Sequence, residues 1–195
     1  MIEPEQLVSA YASGWFPMAV EAGEIRWFSP DPRAILPLDA FRVSNRLART
    51  WRSGRFEIAI DRSFGEVMAA CATIVRDPHD PGTWITQEIV DSYTELHRLG
   101  LAHSVEAWRD GRLVGGLYGV ALGGAFFGES MFHRDTDASK IALVALVDRL
   151  NDRGFQLLDT QWSTPHLEQF GVAEIPRREY LRRLDRALRS TCTFG

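Results

Sequence analysis

Residues 102–161 decide the fold, and they read AHSVEAWRDGRLVGGLYGVALGGAFFGESMFHRDTDASKIALVALVDRLNDRGFQLLDTQ. Apolar, aromatic and β-branched residues form three strand-like segments here: 102–109, 112–121 and 125–132. The Asp-Gly pair at 110–111 and the glycines at 123–124 are typical of hairpin connections. A helix capped by Asp137 is expected over 138–153, followed by an apolar strand over 155–159. This order predicts antiparallel strands with a crossover helix packed behind their sheet.

The remaining segments complete an α+β chain, which we divide into two predicted domains. Residues 1–55 form a small N-terminal domain, and residues 56–195 form the domain that holds the sheet. Further helices are predicted over 4–12, 44–52, 63–75, 86–99 and 177–189. Further strands are predicted over 25–28, 56–60 and 172–175. Two proline-rich segments, 29–33 and 77–82, are expected to be irregular. The order of strands and helix resembles the acyltransferase fold of the GCN5-related N-acetyltransferases, a mostly antiparallel sheet flanked by helices. A fold of this kind says little about the substrate.

Composition excludes several classes of protein. The chain has 195 residues, of which 45% are hydrophobic and 25% charged, values typical of a soluble globular protein rather than a disordered or fibrous one. No stretch approaches the length of an apolar membrane span, and the N-terminus lacks a signal-peptide pattern. We therefore expect a cytoplasmic protein without a membrane partner. The 2 cysteines and 5 histidines lack metal-ligand spacing, so no metal site is expected.

The catalytic hypothesis rests on polar residues near the ends of two predicted strands. Asp159 and Gln161 are expected on one face of the last strand, since side chains alternate with a period of two. An acid beside an amide can position an amine and orient its proton, although a polar strand end bonded to a loop is the commoner use of such a pair. Glu129 follows Phe126 and is expected to share a face with Met131, so burial should raise its pKa or require a partner. A structural pairing of Glu129 with an arginine fits the sequence equally well.

Aromatic and basic residues suggest contacts with a nucleic acid, although the formal net charge is −4. Trp84 precedes a predicted helix and can stack on a base or ribose, but a place in the core is the commoner role of a tryptophan. The segment 44–55 carries Arg49, Arg52 and two further arginines around Trp51, which makes it the better phosphate-binding candidate. The arginine-rich helix over 177–189 is better interpreted as a solvated face.

Motifs along nearly the whole chain resemble those of the leucyl/phenylalanyl-tRNA–protein transferase family. The matching strings run in order between residues 7 and 181: GWFP at 14–17, WFSPDPR at 27–33, GTWIT at 82–86, LVGGLYGV at 113–120, GESMF at 128–132, ASK at 138–140, LDTQ at 158–161 and EIPR at 174–177. The chain departs from the family at Thr160 and Thr164, where cysteine and asparagine are frequent.

The resemblance implies an enzyme that moves leucine or phenylalanine, and methionine weakly, from aminoacyl-tRNA to the N-terminal arginine or lysine of a protein. The product would enter the bacterial N-end rule degradation pathway. No cofactor is expected, and we expect a monomer whose partners are the charged tRNA and the acceptor protein.

The resemblance also implies roles for particular residues. The catalytic positions are Asp159 and Gln161, with Glu129 as the neighbouring acid. The pocket for the donor side chain is formed by Leu117, Phe126, Met131 and Leu158. Trp84, Met18 and Thr164 lie near the terminal adenosine, and Arg49 and Arg52 contact tRNA phosphates. The chemistry is aminolysis of an activated ester, which depends mainly on the positioning of the two reactants.

Two other functions fit part of the sequence. An acetyl-CoA-dependent N-acetyltransferase fits the fold, but such enzymes carry a glycine-containing pyrophosphate loop where this chain reads FHRDTDA at 132–138. A tRNA-binding module without catalysis would not need Glu129, Asp159 and Gln161 at a common pocket.

Overall fold

The computed structural model describes residues 1–20, 23–74 and 83–195, so the predicted loop at 77–82 lies outside the described residues. The strands are β1 (Phe16–Ala19), β2 (Ile25–Phe28), β3 (Arg33–Ile35), β4 (Glu57–Ile60), β5 (Ala102–Arg109), β6 (Arg112–Leu122), β7 (Ala125–His133), β8 (Leu157–Gln161) and β9 (Ala173–Ile175). The helices are α1 (Pro4–Ala12), α2 (Asn45–Arg52), α3 (Phe64–Thr73), α4 (Gln87–Arg98), α5 (Ala138–Asp152), α6 (Pro165–Glu168) and α7 (Arg177–Leu188). A 3-10 turn covers Leu38–Ala40.

Seven of the described strands form the main sheet, in the order β4-β5-β6-β7-β8-β3-β9, and β1 and β2 form a separate hairpin. Neighbouring strands of the sheet are antiparallel except β7 and β8, which run parallel. Their pairing is short, because its last pair is Phe127 with Asp159, while β7 continues to His133. The two strands therefore separate beyond this pair and open a cleft in the sheet.

A β-bulge in β7 lies where this cleft begins. Glu129 is the extra residue, because Gly128 and Ser130 on either side of it pair with successive residues of β6. A bulge shifts the alternation of side chains and often lies beside a functional site. Met131 accordingly packs against the apolar cluster of α5, whereas Phe132 belongs to the cluster on the opposite face. The expected common face of Glu129 and Met131 is therefore wrong, because Glu129 is the bulge residue: it contacts Tyr11 and Tyr93 on one face of the sheet, while Met131 packs with the cluster on the other.

Apolar residues cover both faces of the sheet. On one face, α1, α4 and α7 contribute the fully buried Tyr11, Tyr93 and Tyr180, beside residues of α3. On the other face α5 packs against β5 and β6, and α2 packs against α5. Gly115 permits this close approach, since a Cβ atom there would lie only 2.5 Å from the Cβ atom of Ala138. Helix packing thus explains Gly115, whereas a Cβ atom at Gly119 would clash with the carbonyl oxygen of Phe127 on β7.

The predicted α+β class is confirmed, and most predicted helices and strands end within about two residues of their expected positions. Ser44 and Thr86 cap α2 and α4 through their side chains, as the sequence predicts. Asp137 precedes α5 but makes no side-chain cap. Its carboxylate instead accepts hydrogen bonds from Arg46 at 2.5 and 2.9 Å, which tie α2 to the start of α5.

The sequence does not predict β1 or β3. Arg33 begins β3, although it ends the segment 29–33 that we expected to be irregular because of its prolines. A strand of three residues has too little periodicity to be recognised, and its partners lie more than a hundred residues away, in β8 and β9.

Segments on both sides of residue 55 contribute to one sheet and one core. β3 lies between β8 and β9, and Leu7 and Tyr11 of α1 share an apolar cluster with Phe127 of β7. The division into domains at residue 55 stays a prediction. None of the described helices is long and apolar enough to cross a membrane.

Candidate active site

A cavity of about 710 Å³ opens where β7 and β8 separate. Its walls come from β1, β6, β7, β8, α5 and the residues that follow β8. The site residues predicted from the sequence that line it are Met18, Trp84, Leu117, Glu129, Met131, Leu158, Gln161 and Thr164. Within the described ranges, the cavity lining does not include Asp159, Phe126, Arg49 or Arg52. The fold thus gathers predicted residues from distant segments at one place.

Gln161 ends β8 in a backbone conformation that few residues adopt. Its φ is 58°, in the left-handed region that is unusual for a residue other than glycine. Its backbone N–H donates to Asp159 Oδ1 at 2.9 Å, and its side-chain Nε2 donates to Glu129 Oε1 at 3.0 Å. Because the NH₂ group of Gln161 faces Glu129, its amide oxygen is the end left for a ligand. The site therefore holds an oriented hydrogen-bond acceptor at the cavity wall.

Tyrosines from two helices surround the carboxyl group of Glu129. The hydroxyl of Tyr11 of α1 lies 2.8 Å from Oε1, that of Tyr93 of α4 lies 3.3 Å from Oε2, and the two hydroxyls also contact each other. Each hydroxyl has one proton, so the two tyrosines together fill two of these three contacts at a time when Glu129 is ionised. Burial raises the pKa of Glu129 to about 8; the charge of Asp159 adds to this, while the bonds from the two tyrosines oppose it. A carboxyl group with such a pKa can exchange a proton near neutral pH.

Asp159 lies beneath the cavity in a closed ion pair. Its two oxygens accept from Arg33 Nε at 2.9 Å and Nη2 at 2.6 Å, and both residues are almost completely buried. Tyr180 donates to Oδ2 at 2.7 Å, and the N–H of Gln161 occupies Oδ1. The guanidinium group of Arg33 also lies against the rings of Phe16 and Tyr180, at 4.9 and 4.5 Å from their centroids. Asp159 therefore fixes the backbone of Gln161 from below rather than facing the cavity.

The apolar part of the cavity suits an aliphatic or aromatic side chain. The predicted Leu117, Met131 and Leu158 line it, and Leu143 and Leu146 of α5 add to it. The sequence predicts the helix that carries these leucines but does not indicate which of its residues face a cavity. A pocket of this composition binds apolar groups by burying their surface.

Phe126 occupies a different place from the one the resemblance implies. It lies in the part of β7 that still pairs with β8, directly opposite Leu158. Its ring is fully buried, and its centroid is 5.1 Å from that of Phe194. Phe126 thus packs below the point where the strands separate and outside the cavity lining, so the described cavity gives no support to the contact with the donor side chain that the resemblance implies.

Aromatic and polar residues complete the cavity lining. Trp162 follows β8 and is 41% exposed, and its ring lies edge-on to Phe16 at a centroid distance of 5.0 Å. Trp84 is partly buried, as its position ahead of α4 allows. The hydroxyl of Thr164 accepts from the N–H of Leu167 at 3.3 Å and so caps α6. The mouth offers ring surfaces on which a base or ribose can stack.

The predicted phosphate-binding arginines lie outside the cavity. Arg49 and Arg52 are in the last turn of α2, which packs against α5, the helix that forms one cavity wall. On α7, in contrast, Arg182 and Arg183 both pair with Glu179 within the same helix. Such pairs are typical of a solvated helix face, as the sequence predicts for this helix.

Arg33, Tyr11, Tyr93 and Tyr180 belong to the site, but reasoning from the residues does not identify them. Each lies on an element far from β7 and β8 in the chain, and no local pattern links them. The matching string at 27–33 contains Arg33, so the resemblance carries one signal that could have found it.

In residues 1–20, 23–74 and 83–195, no group of three or more His, Cys, Asp or Glu side chains is placed to hold a metal. The cavity instead combines an amide, a carboxyl group and ring surfaces with an apolar wall.

Two family models and several curated proteins match this chain over nearly its whole length. The model of the family described as "Leucyl/phenylalanyl-tRNA protein transferase" matches residues 35–185, and the model of its N-terminal domain matches residues 1–31. Proteins named leucyl/phenylalanyl-tRNA--protein transferase are similar to it. One from Herpetosiphon aurantiacus is 56% identical, over 99% of this chain and 98% of that one. Another from Gloeobacter violaceus is 54% identical, over 99% of this chain and 97% of that one.

A solved structure described as "The structure of L-PGS from Bacillus licheniformis" aligns with a TM-score of 0.41 and 13% identity, over 85% of this chain and 55% of that one. The family assignment rests on the sequence matches. With two family models that together span most of the chain, and relatives more than 50% identical over nearly its full length, the chain belongs to the leucyl/phenylalanyl-tRNA–protein transferase family.

Proposed function

We propose that this enzyme transfers leucine or phenylalanine, and methionine more weakly, from aminoacyl-tRNA to the N-terminal arginine or lysine of acceptor proteins. The observation that carries the proposal is the junction of an apolar cavity wall with the Gln161–Glu129 pair. An apolar wall holds the donor side chain, and an oriented acceptor beside it holds an amine. One cavity thus has a place for each reactant of an ester aminolysis, the acyl donor and the attacking amine.

The donor side chain would lie against Leu117, Met131 and Leu158. These residues offer no charge and no strong hydrogen bond, which favours leucine, phenylalanine and methionine over polar donors. Discrimination among the three would be modest, since one methylene group changes binding by about 1–3 kcal/mol in such a pocket. The ring of Trp84, with Met18 and Thr164 in the same lining, is where we place the terminal adenosine.

The attacking α-amine would donate to the amide oxygen of Gln161, which Glu129 and Asp159 hold in place. Positioning of this kind can supply much of the acceleration of a reaction between two bound molecules. The positive charge of the acceptor's N-terminal residue would be attracted by Glu129, and that charge in turn favours the ionised form of the carboxyl group. Asp159 contributes less to this attraction because Arg33 offsets its charge.

The acceptor arm of the tRNA would run along α2, where Arg49 and Arg52 contact phosphates without reading the sequence. The element order supports our assignment of an acyltransferase fold of the GCN5-related type. We further propose a cytoplasmic monomer that acts without a cofactor and marks its products for the N-end rule pathway.

Transfer of labelled leucine from leucyl-tRNA to a peptide that begins with arginine tests the proposal. We expect labelled product with this peptide and with a lysine peptide, and none with a matched alanine peptide. Titration with acetyl-CoA in the same buffer tests the acetyltransferase alternative, for which we expect no binding. Equal labelling of the alanine peptide would contradict the acceptor specificity, and binding of charged tRNA without any transfer would favour a tRNA-binding module.

A further inference from the structure

The two carboxyl groups of the site differ in how many hydrogen bonds they can still accept. A carboxylate has about four lone-pair sites. On Asp159 these sites are filled by two donors of Arg33, by Tyr180 and by the N–H of Gln161, at 2.6–2.9 Å. Because this group is also fully buried, a substrate amine cannot reach it without breaking the ion pair.

Glu129 is placed differently. Among the described residues its carboxyl group contacts three donors, from Tyr11, Tyr93 and Gln161, and all three are neutral groups. It lines the cavity and is partly accessible. A donor from a bound substrate can therefore occupy its remaining lone-pair site.

A neutral primary amine carries two N–H groups and one lone pair. If one N–H donates to the amide oxygen of Gln161, the second can donate to Glu129, since the two side chains are joined at 3.0 Å. The lone pair of the nitrogen is then left to face the ester carbonyl. The pair thus orients the nucleophile and provides a base beside it.

We infer that Glu129 is the general base of the transfer reaction and that Asp159 is a positioning residue; the inference rests on the proposed function. As the new C–N bond forms, the proton of the attacking nitrogen passes to the carboxylate of Glu129. As the bond between the acyl carbon and the ribose oxygen breaks, Glu129 returns that proton to the departing oxygen. The products are an amide and a free tRNA hydroxyl, and Glu129 regains its ionised form.

The surroundings of Glu129 support this role. The groups that face it are Tyr11 from α1, Tyr93 from α4 and Gln161 from β8, with the charges of Arg33 and Asp159 behind them. Burial raises its pKa to about 8, so the carboxylate is a stronger base than an ordinary glutamate. The active, ionised form predominates above that pH and is lost as the pH falls through it.

The pH dependence of kcat/KM for an arginine peptide, at saturating leucyl-tRNA, tests the inference with Glu129→Gln. The concentration of neutral peptide amine at each pH is obtained from an NMR titration of the free peptide, and the rate is expressed per neutral amine. For the unmodified enzyme we expect this quantity to rise about tenfold per pH unit until about pH 8 and then to level off. For Glu129→Gln we expect a flat line that lies roughly 10²-fold lower at pH 8.5.

Two further variants keep the test decisive. Glu106→Gln is the matched control, because Glu106 is a buried carboxyl group on β5 bonded to Ser104 and Trp108, and it does not line the cavity. It should keep the rise with pH. Tyr93→Phe removes a bond that lowers the pKa of Glu129, so the rise should move to higher pH.

A Glu129→Gln line parallel to that of the unmodified enzyme would overturn the inference, because a purely structural role lowers the rate equally at every pH. So would a Tyr93→Phe profile that is not displaced. Absence of leucine transfer by the unmodified enzyme would instead contradict the proposed function itself, so the two failures are distinguishable.

Discussion

Asp159 and Glu129 are carboxyl groups on the neighbouring strands β8 and β7, yet their surroundings are opposite. Asp159 is fully buried in the last pair of these strands and is bonded to Arg33, Tyr180 and a backbone N–H. Glu129 lies on the bulge above that pair and faces the cavity with neutral partners. The comparison shows how one short distance along a sheet separates a group that holds the structure from a group that can react. The difference arises from the separation of the strands, since packing is closed below it and open above it.

Of the variants that test this contrast, Asp159→Ala is expected to have the largest effect. This variant leaves the guanidinium group of Arg33 buried without its counter-ion, which should lower the free energy of unfolding by about 3–5 kcal/mol. It also releases the backbone of Gln161, so transfer should fall to background. Denaturant unfolding and the leucine-transfer assay measure the two effects.

The double variant Arg33→Ala with Asp159→Ala is the control. It removes both charges, so part of the lost stability should return while activity stays low. A single Asp159→Ala variant with unchanged stability and rate would contradict the role assigned to the ion pair.

Gln161→Ala removes a side chain that faces the cavity and should leave the Arg33–Asp159 ion pair intact. It removes the oxygen that accepts from the amine but keeps the N–H bonded to Asp159. We expect a rate roughly 10²-fold lower, with saturation by tRNA unaffected. Single-turnover transfer at saturating leucyl-tRNA measures this, and near-normal turnover would remove Gln161 from the mechanism.

Met131→Ala and Phe126→Ala compare residues above and below the point of strand separation. Met131 lines the cavity, so its truncation should reduce the preference for leucine over alanine donors roughly tenfold. Phe126 is buried away from the lining, so its truncation should cost about 3–5 kcal/mol of stability and leave that preference unchanged. Competition between leucyl-tRNA and alanyl-tRNA gives both ratios. A larger change for Phe126→Ala would place the donor pocket deeper in the sheet.

Arg49→Ala with Arg52→Ala is expected to have the smallest effect on the chemical step. Removal of two phosphate contacts should raise the KM for aminoacyl-tRNA and reduce the slope of log affinity against log salt by roughly one unit per charge. The ratio of leucine to phenylalanine transfer should not change, because neither arginine lines the cavity. Arg182→Ala with Arg183→Ala on α7 is the matched control. An unchanged slope for the α2 variant and a reduced one for the α7 variant would move the tRNA path to α7.

Local patterns predict most of the fold, because the helices have apolar faces, α2 and α4 begin at the predicted caps Ser44 and Thr86, and the long strands have hairpin turns. The prediction fails at β3, whose three residues carry no periodicity and whose pairing with β8 and β9 is entirely long-range. It also fails at Asp137, where a long-range bond from Arg46 replaces the local cap.

The candidate site is predicted in part for a similar reason. The strand ends with Asp159, Gln161 and Glu129 stand out in the sequence because polar residues interrupt apolar runs. The sequence does not show that Arg33 and Tyr180 enclose one acid, nor that Tyr11 and Tyr93 bond the other, since those contacts depend on packing between elements. The regular alternation of side chains along a strand does not predict the bulge at Glu129 either.

The most direct test of the contrast between the two acids is the titration of Glu129 itself. Protein labelled with ¹³C at the glutamate carboxyl carbon, with Glu129→Gln as the assignment control, allows its chemical shift to be followed from pH 4 to 10. We predict a midpoint at about 8, because burial disfavours the ionised form. A midpoint near the ordinary glutamate value of about 4.3 would contradict this account, since a carboxylate with that pKa would be too weak a base for the proposed proton transfer.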